Sequence, residues 1–294
     1  MKRAWWINLD GDDELATTGA PPTPSVAMRQ RRETLIRRIG PLLPEGDVVI
    51  VPGARDVADS NVSGRAWLPT PSALAALRRY GAALPEAPSI AVLRAVNHRQ
   101  FASRLGNSLP GAAYVTSEGD VENIVRRKAP FSRYWVLKRP FGYASRGRLR
   151  IRDASPTESE WRWVVAALRA DGGIQVEPWV ERCGDFALHG FIARSGAVEI
   201  GEPTEQKCSE QGVWLESNRA SAAALSTTEV KALRDACESS ADAMKAAGYF
   251  GPFGIDAYRW KRDGDAIEFN ERCEINGRYT MGWAIGMGEK RPDL

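Results

Sequence analysis

The chain has 294 residues, with 40 Lys and Arg against 37 Asp and Glu (formal charge +3), 43% hydrophobic and 26% charged residues. That length corresponds to two or three compact units, and the composition excludes global disorder and fibrous repeats. So small a net charge makes no polycation, so no nucleic-acid partner is expected, and apolar runs such as Val48–Val51 fall far short of the ~18–20 residues that cross a bilayer, so no membrane partner is expected.

Ala4–Leu9 reads as a buried strand that delivers Asn8 and Asp10 near its end. Ser25 can cap a helix through Met28, Leu35 and Ile39 to Gly40. Asp47–Val51 is a second strand closed by Pro52-Gly53, Ser72 can cap a helix with Leu74, Leu77 and Tyr80 on one face, and Ile90–Leu93 is a third apolar run. This β-α-β-α-β order predicts a small parallel sheet covered by helices.

Beyond Val96, Asn97 can cap a short helix from Arg99 to Leu105. Then follow a strand near Ala113–Val115, a helix from Asp120 to Arg127, the strand Tyr134–Lys138, a loop over Gly142–Gly147 and a returning strand, Arg148–Arg152. Thr157–Arg169 reads as a helix with Trp161, Val164, Val165 and Leu168 inward, and Ile174–Val180 and Phe186–Ala193 as strands. Gly201–Ala224 has the irregular composition of a long functional loop. Ser226-x-x-Glu229 is a capping box opening a helix to Gly248. Phe253–Trp260 and Ala266–Phe269 flank a polar turn containing Asp263-Gly264.

Met1-Lys2-Arg3, followed by Ala4–Ile7 and then polar Asn8, does not form a secretory leader. Cys183, Cys208, Cys237 and Cys273 lack CxxC spacing and are expected as small buried hydrophobes in a reducing cytoplasm. With His98 and His189 the only histidines, a Cys/His metal centre is not expected, and His189 reads as a satisfied buried residue. Chemistry would rest on Lys, Arg, carboxylates and hard cations.

Three features carry that chemistry. Asp256 lies within a strand, and two Glu-x-Asn-x-Arg arrangements follow: Glu268/Asn270/Arg272 and Glu274/Asn276/Arg278. Residues i, i+2 and i+4 of an extended chain share a face, so each triplet presents a carboxylate, an amide oxygen and a guanidinium together. The first two are hard oxygen ligands suited to Mg²⁺, and the guanidinium is a forked donor for phosphate or an oxyanion. Lys138 closes an apolar strand ahead of a Gly/Ser loop (Gly142, Ser145, Gly147), which places a point charge beside backbone N–H donors, a pattern suited to polyphosphate. Third, Ile174–Val180 breaks at Pro178, freeing backbone groups that could read an adenine edge, with Trp179 and Val180 as apolar cover and the Asp185 carboxylate available to ribose hydroxyls. The alternating Arg146, Arg148, Arg150 and Arg152 read as a charged edge strand.

In this order the three features resemble the ATP-grasp superfamily over most of the chain, with an opening like Ile7-Asn8-Leu9-Asp10 and a close like Glu274-Ile-Asn276-Gly-Arg278. The resemblance implies an α/β protein with α+β elements: an N-terminal parallel-sheet pre-ATP-grasp domain (1–95), a central lid (96–176) and a C-terminal mixed-sheet domain with the metal site (177–294). It implies that Lys138 holds the α- and β-phosphates and that Gly142, Ser145, Arg146 and Gly147 close over the β/γ-phosphates. Glu177, Trp179 and Val180 would meet adenine and Asp185 the ribose. Where many members carry a second nucleotide-binding lysine, this chain has Arg99. Asp256, Glu274 and Asn276 would bind two Mg²⁺ (or Mn²⁺), with Glu268 and Asn270 the alternative pair, and Arg278 would be catalytic with Lys138. The implied activity is a cytoplasmic ATP-dependent carboxylate–amine ligase acting on small-molecule acid and amine substrates, a homodimer being compatible with it. A kinase and a non-catalytic nucleotide-binding module are the alternatives. Gln206, Lys207 and Arg219 are further candidates for the substrate region, together with Asn8 and Asp10.

Overall fold

A computed structural model describes residues 2–17, 26–51, 62–106, 109–142, 146–152, 154–208, 214–262, 264 and 266–294. Ser25, Pro52-Gly53, Asp263 and Ser145, singled out above, lie outside the described residues. The fold is α/β, built on one parallel and two antiparallel sheets.

The chain opens with β1 (Arg3–Trp6), α1 (Gly11–Ala16), α2 (Val26–Ile39), β2 (Val48–Ile50) and β3 (Ser63–Ala66), and the strands form a parallel sheet ordered β2-β1-β3. The third strand is therefore Ser63–Ala66 and not the apolar run Ile90–Leu93. That run begins α4 (Ile90–Asn97), whose first turn is capped by the Ser89 hydroxyl accepting from Val92 N. Four consecutive apolar residues suit a buried strand or a helix equally, and here the N-cap serine decides for helix. The helix before it, α3 (Pro71–Arg79), is capped by Thr70, with Pro71 in its first turn, rather than by Ser72. Likewise His98, not Asn97, caps α5 (Arg99–Arg104).

The second sheet takes β4 (Ala113–Val115), then after α6 (Glu118–Val125) β5 (Tyr134–Lys138), β6 (Arg148–Arg152), α7 (Glu158–Asp171) and β7 (Ile174–Pro178), in the order β4-β7-β5-β6. Thr157 and Glu160 form the capping box that starts α7, and Gly172 in the left-handed region ends it. Val164, Ala167 and Leu168 of α7 pack with Trp135, Leu137 and Ile151 of the sheet.

The third sheet contains β8 (Glu181–Ile192), β9 (Val198–Ile200), β10 (Thr204–Cys208), β11 (Trp214–Arg219), β12 (Gly251–Lys261) and β13 (Ile267–Asn276), ordered β11-β10-β8-β12-β13 with β9 on β8. The expected loop over Gly201–Ala224 thus contains two paired strands. Their polar, alternating residues (Glu205, Lys207, Glu216) are exposed on one face, so they carry no apolar run to betray them. The 20-residue α8 (Thr227–Ala246) covers this sheet, opened by the Ser226/Glu229 capping box. The short α9 (Trp283–Met287) ends the fold.

Two cores tie the ends of the chain together. Trp5, Ile7 and Trp67 pack with Tyr279, Trp283 and Met287, and Leu15, Leu68 and Leu93 join the core under α8. The last segment of the chain thereby packs against the N-terminal sheet. Strand β7 also runs past the 176/177 position as far as Pro178, and α4 spans 95/96.

Candidate functional site

A cleft of about 630 Å³ has walls from the second and third sheets (β5 to β8 and β10 to β13), from α5, from the segment after β13 and from Leu9, Leu35 and Trp67 of the N-terminal region. Lys138, Gly142, Arg146, Glu177, Trp179, Val180, Asp185, Asp256, Glu274, Asn276, Arg278 and Arg99 all line it. The three features, spread in sequence from Lys138 to Arg278, are therefore brought to one place.

The wall from the second sheet is set by strand pairing. Val136 stands opposite Glu177 and Lys138 opposite Gln175, and Lys138 Nζ meets Glu177 Oε2 at 2.5 Å. Arg99, from α5, reaches in beneath them: its Nε donates to Arg139 O at 3.1 Å and its Nη2 lies 3.1 Å from Glu274 Oε1. Burial disfavours the Arg99 cation, yet Glu274 and Glu177 reverse this and raise its pKa. Arg146 is held by Asp13 at 3.0 Å.

The floor is set by β12 and β13. Asp256 pairs directly with Glu274, and Gly254 with Asn276. Gln206 Nε2 donates to Asp256 Oδ1 (3.1 Å) and Asn276 Nδ2 to Asp256 Oδ2 (3.0 Å). Burial pushes the Asp256 carboxyl up to about 6, with the facing Glu274 charge adding to the effect and Gln206, Arg278 and Asn276 opposing it. For Glu274 burial also raises the pKa, but Arg99, Lys138 and Arg278 outweigh it and hold the carboxyl below its usual range.

The two triplets part company at a bulge. Asp256 pairs with Glu274 but Tyr258 with Asn270, so Glu271, Arg272 and Cys273 face Ala257 alone. Before the bulge, Glu268 pairs with Trp260 and bonds Arg262 and Asn270 is 2% exposed; within it, the Arg272 guanidinium donates to Leu105 O and Gly106 O. Glu268, Asn270 and Arg272 do not line the cleft.

Arg278 comes from the segment after β13. Its Nη2 lies 3.1 Å from Asp12 Oδ2 of α1, its Nη1 reaches Tyr279 O only at 3.4 Å, and its Nε is buried without a partner. Burial raises the Asp12 carboxyl while Arg278 opposes the rise. Asn97 anchors the same segment by accepting from Gly277 N at 2.8 Å. A Cβ on Gly277 would stand 2.7 Å from Val96 Cγ2, so only glycine allows this approach. Asp12 and Asn97 escaped the sequence reading, because each resembles an ordinary helix residue until the far end of the chain packs on it.

At the start of β8, Arg182 stacks on Tyr258, its Cζ 3.9 Å from the ring centroid, and bonds Asp185 at 3.1 Å. Arg148, read as part of an edge strand, also lines the cleft, and burial together with Arg182 lowers its pKa. Several expectations are corrected. Asn8 clamps the ends of β1 and β3 through Leu68 N and O. Lys207 points to the exposed face toward Glu216, and neither it nor Arg219, Asn8 or Asp10 lines the cleft. Of the cysteines only Cys237 is buried: Cys183 and Cys208 are exposed and Cys273 is intermediate. His189, by contrast, is the satisfied buried residue expected, fully buried between Thr204 and Thr280.

No described helix is long and apolar enough to cross a membrane. Among the described residues no group of three or more His, Cys, Asp and Glu stands ready for a metal. The hard donor set in the cleft is instead two carboxylates and an amide.

Sheets and connections of this kind define the ATP-grasp fold, and comparison with solved structures bears this out. The chain is similar to biotin carboxylase from Campylobacter jejuni in complex with β,γ-ATP (TM-score 0.58, 12% identity, 97% of this chain and 67% of the other). It is also similar to the D-cycloserine synthetase DcsG (0.53, 13%, 98% of each chain) and to the ADP complex of N5-carboxyaminoimidazole ribonucleotide synthetase (0.51, 14%, 95% and 70%). No protein-family model and no curated protein matches the sequence. The protein is an ATP-grasp fold.

Proposed function

We propose that this chain is an ATP-dependent ligase that joins a carboxylate to an amine through an acyl phosphate. The observation that supports it best is a single cleft with Lys138 and Arg99 on one wall, Asp256, Glu274 and Asn276 on the floor and Arg278 beyond them. The structural neighbours include complexes with ADP and with an ATP species, which supports a nucleotide in the same place here.

In this reading adenine lies against Val180 and Trp179, with Glu177 and Asp185 at the base and ribose. Lys138 and Arg99 hold phosphate oxygens, and Gly142, Arg146 and Gly147 cover them. The facing Asp256 and Glu274, one with its pKa pushed up by burial and the other's charge, form a donor set that a hard cation would neutralise, and Asn276 adds an amide oxygen. Bound Mg²⁺ would supply charge neutralisation for phosphoryl transfer.

The acid's carboxylate oxygen takes the γ-phosphoryl group and ADP leaves. An amine then attacks the acyl carbon, and phosphate departs with the C–O bonding pair while the amine loses a proton. Arg278 holds the oxyanion between those events. Acyl phosphates hydrolyse, so the cleft has to exclude water between the two steps, and Gly142 and Arg146 in its lining contribute to that.

Product analysis tests the reading. Incubation with ATP, Mg²⁺, carboxylic acids and amines should yield ADP, phosphate and an amide. A stable phosphorylated substrate would instead establish a kinase, and nucleotide binding without turnover a non-catalytic module.

A further inference from the structure

The cleft has two apolar groups, and a nucleotide needs only one. Val180 belongs to the small core of Tyr258 and Trp260. Leu9, Leu35, Trp67, Trp214 and Met281 also line the cleft and belong to a different core, built on the first sheet and the last segment of the chain. Lys138, Asp256, Glu274 and Arg278 line the same cleft as both apolar groups.

We propose that this second apolar group forms the side-chain pocket for the acid substrate, which would be a monocarboxylate bearing a bulky branched or aromatic hydrocarbon substituent. The proposal rests on the ligase reading above and specifies its substrate class.

Three observations carry it. First, the pocket is made, not incidental: Trp67 is 4% exposed, Leu35 6% and Leu9 8%, so its base is rigid, while half-buried Trp214 and Met281 form its rim. Its two sides are tied together, since Arg38 of α2 donates to Trp214 O of β11 at 3.2 Å and Trp214 Nε1 donates to Ser217 Oγ at 2.8 Å. Second, the cation beside it has donors to spare. Asp12 takes one arm of Arg278, the other arm has only a 3.4 Å contact, and Nε has none. Third, the order along the chain is right. Met281 follows Arg278 by three residues and both line the cleft with Trp214, so an acid held by the guanidinium has this apolar wall within the same cavity for its substituent. A polar substituent would lose its water there without a partner.

The test uses hydroxylamine as a general nucleophile, which converts an acyl phosphate to a hydroxamate and releases phosphate, so the natural amine is not needed. With saturating ATP and Mg²⁺, 3-phenylpropionate and 4-methylpentanoate should give hydroxamate with KM values lower than acetate or succinate by on the order of tenfold or more. Met281→Gln and Trp214→Ala should raise KM for 3-phenylpropionate by about tenfold while leaving the affinity for ATP in place. Trp67 is too deep in the core for this purpose, whereas the two rim residues are partly exposed. If acetate or succinate is used as well as the apolar acids, or both variants leave KM unmoved, the pocket assignment is overturned and the ligase reading stands. If ATP with Mg²⁺ binds yet no acid gives hydroxamate, the ligase reading falls and the pocket assignment with it.

Discussion

Lys138 and Glu177, diagonal neighbours on adjacent strands of the second sheet, close a 2.5 Å ion pair inside the cleft, with side chains 13% and 9% exposed. The cation proposed to hold phosphate is therefore already neutralised in the absence of a ligand, and phosphate has to compete with a carboxylate for it. Replacing Lys138 with Met should weaken ATP binding roughly tenfold to a hundredfold, the worth of hydrogen bonds to a charged group. Calorimetric titration with ATP and Mg²⁺ checks this, and unchanged affinity would remove Lys138 from the nucleotide site.

The bulge in β13 makes the two Glu-x-Asn-x-Arg triplets inequivalent. Glu274→Gln should raise the Mg²⁺ concentration needed for half-maximal ADP release severalfold or more, because a carboxylate facing Asp256 is lost. Glu268→Gln, which loses only a half-exposed pair with Arg262, should leave it unchanged. The opposite pattern in a Mg²⁺ titration would transfer the metal site to the first triplet.

Asp12 and Arg278 join the first helix to the last segment as a pair 7% and 16% exposed. Removing one partner of a buried pair leaves the other uncompensated, at a cost of about 3–5 kcal/mol when burial is complete and somewhat less here. Asp12→Ala should lower the unfolding free energy by more than the Asp12→Ala/Arg278→Met double variant does relative to Arg278→Met. Additive effects in this cycle would mean that the pair does not couple the two ends. Arg278→Lys should lose much of the turnover, since an ammonium cannot reproduce the fork.

His189 supplies a pH prediction. Burial lowers its pKa to about 3, against about 6.5 in an unfolded chain. Between those values the unfolded chain binds a proton that the folded one refuses, so stability is retained above pH 6.5 and falls as pH drops toward 3, by at most about 1.4 kcal/mol per unit. In His189→Gln the drop in Tm between pH 7.5 and 4.5 should be smaller than in the parent chain. An equal drop in both would assign the acid sensitivity to other groups.

Local signals were enough for much of this protein. The capping boxes at Thr157 and Ser226, the apolar strand ending in Lys138 and the alternation that places Glu274 and Asn276 on one face are all encoded within a few residues, because caps and side-chain periodicity are short-range. They carried the reading as far as the ATP-grasp resemblance, which the fold bears out. Where a local pattern fits two structures it misleads, as with Ile90–Leu93, and where a strand is polar on its open face, as in Thr204–Cys208 and Trp214–Arg219, it is silent.

Tertiary structure alone decided which groups meet. Whether Arg278 stands free or leans on Asp12 depends on a contact 266 residues apart, and whether Glu268 or Glu274 faces Asp256 depends on a bulge that re-registers one strand against another. The apolar wall of the cleft likewise assembles Leu9, Leu35, Trp67, Trp214 and Met281 from five separate segments. Burial and charge compensation are properties of packed neighbours, and those exist only once the chain has closed on itself.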